Sequence, residues 1–188
     1  DIVIERQSGE ESDKIKMIFK EDKKMADIWK ATCMQTMNCV VNNAHSREEA
    51  MTIINKSIDR WEELLKSLVA SNGSMKQLYL FPEFNLQGFP LHENPNEWIE
   101  KACLNIPGSN EIERIQAMAQ TYKIYIGANA YESTDDWPGR YFNCSFLIDP
   151  SGEIILKYRR INTTEASSPH DILDQYIEKH GVDSYFLL

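Results

Sequence analysis

The chain has 188 residues, 42% of them hydrophobic, and a formal net charge of −9 at pH 7. This length suffices for one sizeable core and is short for two. The acidic balance argues against a nucleic-acid partner, because a protein that tracks phosphates needs a clustered basic face. No apolar run approaches the roughly 20 residues that cross a bilayer, so we expect no membrane partner either.

The thiols and imidazoles do not form a recognisable metal or disulfide pattern. The four cysteines have no Cys-x-x-Cys spacing and no paired histidines, and the four histidines are scattered along the chain. Such cysteines are typical of buried thiols in a cytosolic protein. We therefore predict a cytoplasmic location, and a metal site built from the histidines is not favoured.

The chain opens with a segment that differs from the rest. Residues 1–30 are highly charged and weakly patterned, so we interpret them as an N-terminal extension outside the main core. Residues 31–41 then have the composition of a buried strand and its exit. A helix follows, in which Ser46 and Glu49 form a capping box, apolar residues recur at helical spacing, and Asn72-Gly73 marks the end.

The next element is an apolar strand that leads to a single acid. Residues 77–81 are rich in strand formers, Pro82 ends the run, and Glu83 follows directly, before the loop Gly88-Phe89-Pro90. Open α/β folds present catalytic groups in this way, at the C-terminal end of a buried strand. An ordinary strand exit with a surface acid has the same pattern, and this motif alone leaves both interpretations open.

A second helix and strand come next. The helix opens at Gly108-Ser109-Asn110, with Asn110 and Glu113 as a possible capping box, and residues 123–131 return as a strand. Up to this point, strands and helices alternate. The alternation predicts a largely parallel sheet.

A hairpin then changes the order of elements. Residues 141–148 and 153–158 flank Asp149-Pro150-Ser151-Gly152, whose Pro and Gly positions suit a type I turn. The first arm carries one apolar face, and we expect the second arm to contribute to that same face. The residues concerned are Phe142, Cys144, Phe146 and Ile148 on the first arm, and Ile154, Leu156 and Tyr158 on the second.

The end of the chain contains a short helix and an apolar run. Ser168-Pro169 precedes an amphipathic helix that Gly181 ends. Residues 185–188 have the composition of the start of another strand. Because a domain does not usually end by exposing its next strand, we expect residues 31–188 to be the N-terminal portion of a single domain, truncated before a further strand.

Six motifs, in this order, resemble the nitrilase superfamily, the carbon–nitrogen hydrolases, over about residues 31–161. They are Gln35, Glu83 after Phe81-Pro82, Pro107-Gly108, Tyr141-Phe142-Asn143, Asp149-Pro150-Ser151-Gly152-Glu153-Ile154, and Lys157-Tyr158-Arg159-Arg160-Ile161. The resemblance implies an α/β fold that is half of a four-layer α-β-β-α sandwich, with a mixed sheet and one hairpin.

The resemblance also implies a chemistry. A cysteine thiolate attacks a small-molecule amide or nitrile, a glutamate acts as general base, and a lysine stabilises the tetrahedral intermediate, without cofactor or metal. Glu83 matches the general base. Relatives generally pair, so a homodimer or higher homo-oligomer is implied as well.

Two departures from the family pattern concern catalysis. The lysine position holds Arg160, and arginine is not a conservative replacement for lysine. Lys157 is a poor substitute, because an odd offset on a strand points to the opposite face. The nucleophile belongs on a strand beyond residue 188. A second, supporting glutamate often follows the family's lysine, and Glu165 is the nearest candidate, at a shorter spacing than usual.

Three functions therefore stay open: an amidase-type or nitrilase-type hydrolase, a pseudoenzyme that keeps the fold as an assembly or binding module, and an unrelated doubly wound ligand-binding domain. The last lacks a Gly-x-Gly-x-x-Gly loop. We predict that Glu83 lies at the floor of a pocket, within ion-pair distance of Arg160, since a buried carboxylate needs a compensating cation. In a pseudoenzyme this pair should be two-pronged and fill the site.

Overall fold

The computed structural model describes residues 2–6, 15–19, 28–73, 75–161 and 167–186. Strands β1 (Ile2–Arg6) and β2 (Ile15–Phe19) pair antiparallel with each other and stay outside the main sheet. The rest of residues 1–27, which we assigned to the charged extension, lies outside the described residues. Trp29 already begins the first strand of the main sheet.

The main sheet has five strands in the order β3-β4-β5-β6-β7. The strands are β3 (Trp29–Cys33), β4 (Lys76–Leu80), β5 (Tyr125–Ser133), β6 (Tyr141–Ile148) and β7 (Ile154–Arg159). The first three run parallel, and β6 and β7 are added antiparallel. The sheet is therefore mixed and ends in one hairpin, as predicted.

Five helices and one 3₁₀ turn complete the described part of the chain. They are α1 (Arg47–Asn72), α2 (Pro95–Ala102), α3 (Asn110–Tyr122), the 3₁₀ turn Pro169–Asp171, α4 (Leu173–His180) and α5 (Asp183–Phe186). Within the described ranges, none of these helices combines the length and apolarity that crossing a bilayer requires.

Helix α1 begins and ends where the sequence predicts. The Ser46 hydroxyl accepts a hydrogen bond from the Glu49 N–H at 3.1 Å, and Gly73 follows the last turn at φ 64°. The reciprocal half of the capping box differs from the prediction, because the Glu49 carboxylate accepts from the N–H of His45 instead of Ser46. Helix α1 nevertheless has a side-chain cap at its first turn, which stabilises it.

The cap predicted for α3 is wrong. Ser109 has the extended backbone of an N-cap residue, with φ −85° and ψ 148°, while Asn110 is already helical. The Asn110 side chain therefore cannot cap the helix, and the Ser109 hydroxyl donates to the carbonyl of Asn105. The turn after Gly108 enters the helix one residue earlier than the capping pattern predicts.

Helices α1 and α3 cover one face of the sheet. Their apolar residues share one core with the residues of β4, β5 and β6 that alternate toward them. Trp61 of α1 stacks on Phe81, directly after β4, with ring centroids 3.7 Å apart. The core includes Ile54, Ile58, Leu65, Ile112 and Ile115 from the helices, and Tyr79, Ile126, Ala128, Phe146 and Ile148 from the sheet.

Part of the opposite face of the sheet, around Leu80 and Leu156, is open. Leu80 on β4 and Leu156 on β7 are 39% and 46% exposed. Gly127 on β5 lies between their strands, where a Cβ would come within 2.5 Å of a Leu80 methyl carbon. One helical layer and one sheet layer are half of a four-layer α-β-β-α sandwich, so the predicted fold class is confirmed.

The predicted apolar face of the second hairpin arm is wrong for two residues. Ile154 pairs with Ile148, but a register shift between Leu147 and Ile148 then places Leu156 opposite Leu147. Tyr158 likewise lies opposite Ser145. Paired residues share a face, so the bulge turns Leu156 and Tyr158 to the open face, away from the helices.

The first predicted strand of the main sheet is shorter and more exposed than predicted. Within 31–41, only the first residues belong to β3, and most residues of β3 are exposed. The reason is that β3 is the edge strand, with β4 as its single neighbour. The buried apolar residues Met34, Cys39 and Val41 lie in the segment that follows it.

The predicted strand start at residues 185–188 is also wrong where the chain is described. Residues 185 and 186 lie in the short helix α5, while 187 and 188 lie outside the described residues. A short apolar run cannot by itself distinguish a strand from a helix. The helix predicted after Ser168-Pro169 is confirmed as α4, and Tyr176 packs it against Trp137 and Phe142.

A buried carboxylate ties β5 to β7 on the helix-covered face. Glu132 of β5 is fully buried and accepts from Arg159 at 2.8 and 2.9 Å in a two-pronged pair. Lys157 forms a second ion pair with the same carboxylate. The two cations are partly exposed, so Glu132 is the group that depends on the cluster for its solvation.

We expect Glu132→Gln to lower the free energy of unfolding by about 2 kcal/mol, because the charge-assisted hydrogen bonds are lost while both cations can still reach water. Urea denaturation followed by circular dichroism measures the loss. The control is Glu178→Gln, an exposed position on α4, which should stay within about 0.5 kcal/mol of the wild type. Equal losses in the two variants would contradict this role of Glu132.

Candidate active site

Glu83 lies just beyond the C-terminal end of strand β4. The Phe81 N–H still donates to the carbonyl of Gly127 on β5, at 2.8 Å, so the sheet ladder continues to the residue before Pro82. Phe84 then takes the left-handed conformation, with φ 61°, and its carbonyl accepts from the N–H of Gly88 at 2.9 Å. The chain turns back directly after Glu83, in a turn at residues 83–88 that we call the elbow. The Glu83 carboxylate projects from it.

Arg160 follows β7, the edge strand farthest from β3, and its side chain contacts Glu83. The Arg160 N–H donates to the carbonyl of Asn143 at 2.8 Å, which extends the β6–β7 ladder past the end of β7. Its Nη1 lies 2.5 Å from Oε1 of Glu83. The predicted ion-pair distance is confirmed. Among the described residues the contact is one-pronged, and Arg160 Nε is buried without a hydrogen-bond partner there.

Two buried asparagines support the carboxylate. Asn143 of β6 donates through Nδ2 to Oε1 of Glu83 at 2.8 Å. Asn129 of β5 donates in turn to Oδ1 of Asn143 at 2.6 Å and accepts from the Phe84 N–H at 3.1 Å. The sequence motif contained Asn143 without a role, and it gave no indication of Asn129. Its position two residues after Gly127 on a buried strand was the available signal.

These groups line one concavity of about 600 Å³ on the open face of the sheet. Glu83, Arg160, Asn143 and Asn129 are part of its polar lining, and Leu80, Leu147 and Leu156 are among its apolar residues. The Glu83 side chain is 44% exposed and that of Arg160 is 29% exposed. Glu83 therefore lines a pocket beside a cation, as predicted, but it is not buried, because the open sheet face leaves the concavity wide.

The other cations of the segment point away from this concavity. Lys157 and Arg159 pair with Glu132 on the helix-covered face, which agrees with the odd offset between Lys157 and Arg160. Arg160 is thus the cation that contacts Glu83 within the described residues. Glu165 lies outside the described residues, so its catalytic role stays a prediction, as do the catalytic roles of Glu83 and Arg160.

None of the four cysteines lines the concavity. Cys144 alternates onto the helix-covered face of β6, and burial raises the pKa of its thiol to about 12. Burial also raises the pKa of Cys39 to about 11 and raises the pKa of Cys103 further. Cys33 is exposed on the edge strand β3. In the described part of the chain, no three His, Cys, Asp or Glu side chains cluster as metal ligands would.

Comparisons with known proteins agree on one family. A family model described as carbon–nitrogen hydrolase matches residues 31–186. The chain is 29% identical over 117 residues to a formamidase of Bacillus cereus (strain B4264), an alignment that covers 61% of this chain and 32% of the relative. It is 31% identical over 85 residues to a formamidase of Helicobacter acinonychis (strain Sheeba), covering 45% of this chain and 24% of the relative.

A solved structure gives the same result for the fold. The crystal structure of a carbon–nitrogen hydrolase from Helicobacter pylori G27 superposes with a TM-score of 0.53 at 18% identity, covering 73% of this chain and 41% of that one. At this identity the likeness supports the fold alone. The chain spans about a third or less of the length of the curated relatives described above.

Among the four cysteines of the 188-residue chain, we expect Cys33 alone to react rapidly with a disulfide reagent at pH 7.5, because it is exposed, whereas burial keeps Cys39, Cys103 and Cys144 protonated. Absorbance during reaction of this chain with Ellman's reagent measures the fast phase, which Cys33→Ser should remove. The reaction of the other three thiols should speed up by roughly tenfold per pH unit, since a raised pKa leaves little thiolate at neutral pH. A fast phase that survives in the Cys33→Ser variant of the 188-residue chain would contradict the assignment.

Proposed function

The chain belongs to the carbon–nitrogen hydrolase family, and from that premise we propose that the protein hydrolyses a small non-peptide amide or nitrile, with Glu83 as its general base. The observation that carries the proposal is the group formed by Glu83, Arg160 and Asn143 at the end of β4. A carboxylate, a cation and a neutral donor meet there beside an open concavity.

The proposed reaction on an amide proceeds through a thioester. A cysteine outside these 188 residues transfers its proton to Glu83 and attacks the carbonyl carbon. The tetrahedral intermediate collapses, the carbon–nitrogen bond breaks, and the proton leaves with the amine. Glu83 then accepts a proton from water, whose oxygen attacks the thioester; the carbon–sulfur bond breaks, the acid leaves, and Glu83 returns its proton to the cysteine sulfur. A nitrile would pass first through a thioimidate.

Arg160 takes the place of the family's lysine in this scheme. Its Nη1 pairs with Glu83, and the one-pronged contact supports a role in which the remaining guanidinium N–H groups stabilise the oxyanion. A two-pronged pair would occupy both carboxylate oxygens and favour the pseudoenzyme. The contact between the described residues therefore favours a catalytic role for Arg160 over one in which it fills the site of a pseudoenzyme.

The names of the relatives guide the choice of substrate and setting. The curated relatives described above are formamidases, so formamide and short aliphatic amides are the first substrates to test. The free thiols favour a reducing compartment, and we include a cytoplasmic location in the proposal. Pairing into a homodimer or larger homo-oligomer, and a supporting role for Glu165, belong to the same proposal.

We expect Glu83→Gln and Arg160→Ala each to lower kcat/KM for the best amide at least about a hundredfold, since one removes the general base and the other the oxyanion donor. Arg160→Lys should keep part of the activity, because the positive charge remains while the planar fork is lost. Ammonia release by the full-length protein, over a panel of amides and nitriles, is the measurement.

The matched control is Arg114→Ala. It removes an arginine–carboxylate contact of the same 2.5 Å length, between Arg114 and Asp59, at the α1–α3 surface. This variant should keep wild-type kcat/KM. A folded wild-type protein that releases no ammonia from any amide or nitrile of the panel would contradict the hydrolase proposal and favour the pseudoenzyme.

A further inference from the structure

We propose that Asn129 and Asn143 form a relay that positions the Glu83 carboxylate, so that Oε2 is the atom left to exchange a proton. The relay runs from β5 through β6 to the elbow after β4. What Glu83 does with that proton rests on the proposed function, whereas the orientation of the carboxylate does not.

The relay starts at Asn129, whose side chain is buried and uses both ends of its amide. Its Oδ1 accepts from the Phe84 N–H at 3.1 Å. Its Nδ2 donates to Oδ1 of Asn143 at 2.6 Å and to the hydroxyl of Ser145 at 3.2 Å. The backbone donor of Phe84 fixes which end of the Asn129 amide is the oxygen, so the nitrogen must face Asn143.

This arrangement decides the orientation of Asn143. Because Asn129 presents N–H groups, Asn143 must present its oxygen to them, and a flipped amide would bring two NH₂ groups into contact. The NH₂ group of Asn143 is therefore the end that faces Glu83, at 2.8 Å. The Phe84 N–H thus sets, through Asn129, the direction of the hydrogen bond between Asn143 and Glu83.

The consequence for Glu83 is an unequal use of its two oxygens. Oε1 accepts from both Asn143 Nδ2 and Arg160 Nη1. No hydrogen bond from another described residue reaches Oε2, and the side chain lines the concavity. Oε2 is therefore the oxygen available to a thiol or a water. Asn129 and Asn143 act as positioning residues in this proposal, since they act through the Glu83 carboxylate that they hold.

Two substitutions test the direction of the relay. Asn143→Asp replaces the donor that faces Glu83 with an acceptor of the same size. Asn129→Asp changes neither Glu83 nor the residues Asn143 and Arg160 that contact it, but it removes the N–H groups that orient Asn143. The Asn143 amide should then flip and present its oxygen to the carboxylate. Each variant should lower kcat roughly tenfold or more with little change in KM, since the misplaced group is the base.

A pH readout separates this role from a merely structural one. Arg160 at the end of β7 is the charged group that faces Glu83 among the described residues, and it is unchanged in both variants. Replacing a neutral donor with an acceptor or a negative charge beside Glu83 should move the acid limb of kcat/KM upward by about one pH unit. In an Asn143→Ala background, Asn129→Asp should cause a smaller shift, because only the through-space effect of the new carboxylate then remains.

The matched control is Asn55→Asp. Asn55 on α1 also donates to a glutamate, Glu111 of α3, at 3.0 Å, so the same exchange is made beside a carboxylate far from the concavity. It should leave kcat and the acid limb unchanged. An acid limb that moves equally in Asn55→Asp, or an Asn129→Asp effect that is undiminished in the Asn143→Ala background, would overturn the relay.

A measurement on the full-length wild-type protein needs neither turnover nor a stable variant. With ¹⁵N-labelled asparagine and ¹³C-labelled glutamate, the side-chain NH₂ resonances of Asn143 should titrate together with the Glu83 carboxyl carbon, with one midpoint. A protein without turnover that shows this coupling contradicts the proposed hydrolase and supports the relay. Chemical shifts of the Asn143 NH₂ group and the Glu83 carboxyl carbon that change with different pH midpoints would contradict the relay, whether or not the protein is active.

Discussion

The register of β5 with its two neighbours is the constraint on which the candidate site depends. β5 pairs parallel with β4 and antiparallel with β6, so the chain that leaves β4 lies beside Asn129 in the middle of β5 and Asn143 in the first half of β6. Glu83, Asn129 and Asn143 come from these three strands or their exits, and Arg160 follows β7. Backbone hydrogen bonds between strands therefore bring together groups separated by up to 77 residues.

The same strand geometry separates two clusters of opposite charges. On β7 and its exit, Lys157 and Arg159 face the helices and Glu132, while Arg160 faces the open side and Glu83. Because side chains alternate, a slip by one residue would exchange the cations between the two carboxylates. The bulge after Leu147 fixes this register. The cations of a structural ion cluster and of a candidate catalytic pair thus lie within four residues of sequence, from Lys157 to Arg160.

The sequence predicts the parts of this arrangement that depend on local patterns. The cap at Ser46, the acid after an apolar strand and the hairpin all have short signatures, and together they placed Arg160 near Glu83. The bulge that turns Leu156 outward has no such signature, because it depends on how two arms pair. The role of Asn129 could not be predicted either, because a buried amide network forms between strands and produces no periodic pattern in the sequence. The cap of α3 failed because adjacent Ser109 and Asn110 both suit an N-cap.

The left-handed backbone at Phe84 has an evolutionary consequence. A bulky residue in that conformation costs on the order of 1 kcal/mol, and glycine there would relieve it. The Phe84 ring, however, packs against the core and contacts the rings of Phe89 and Tyr131, at centroid distances of 5.1 and 5.9 Å. Loss of a packed aromatic ring costs more free energy than glycine would recover. The same ring lies over the Arg160 guanidinium, 5.9 Å from its centre. Core packing and the candidate site therefore both select for an aromatic ring at a backbone position that by itself would suit glycine.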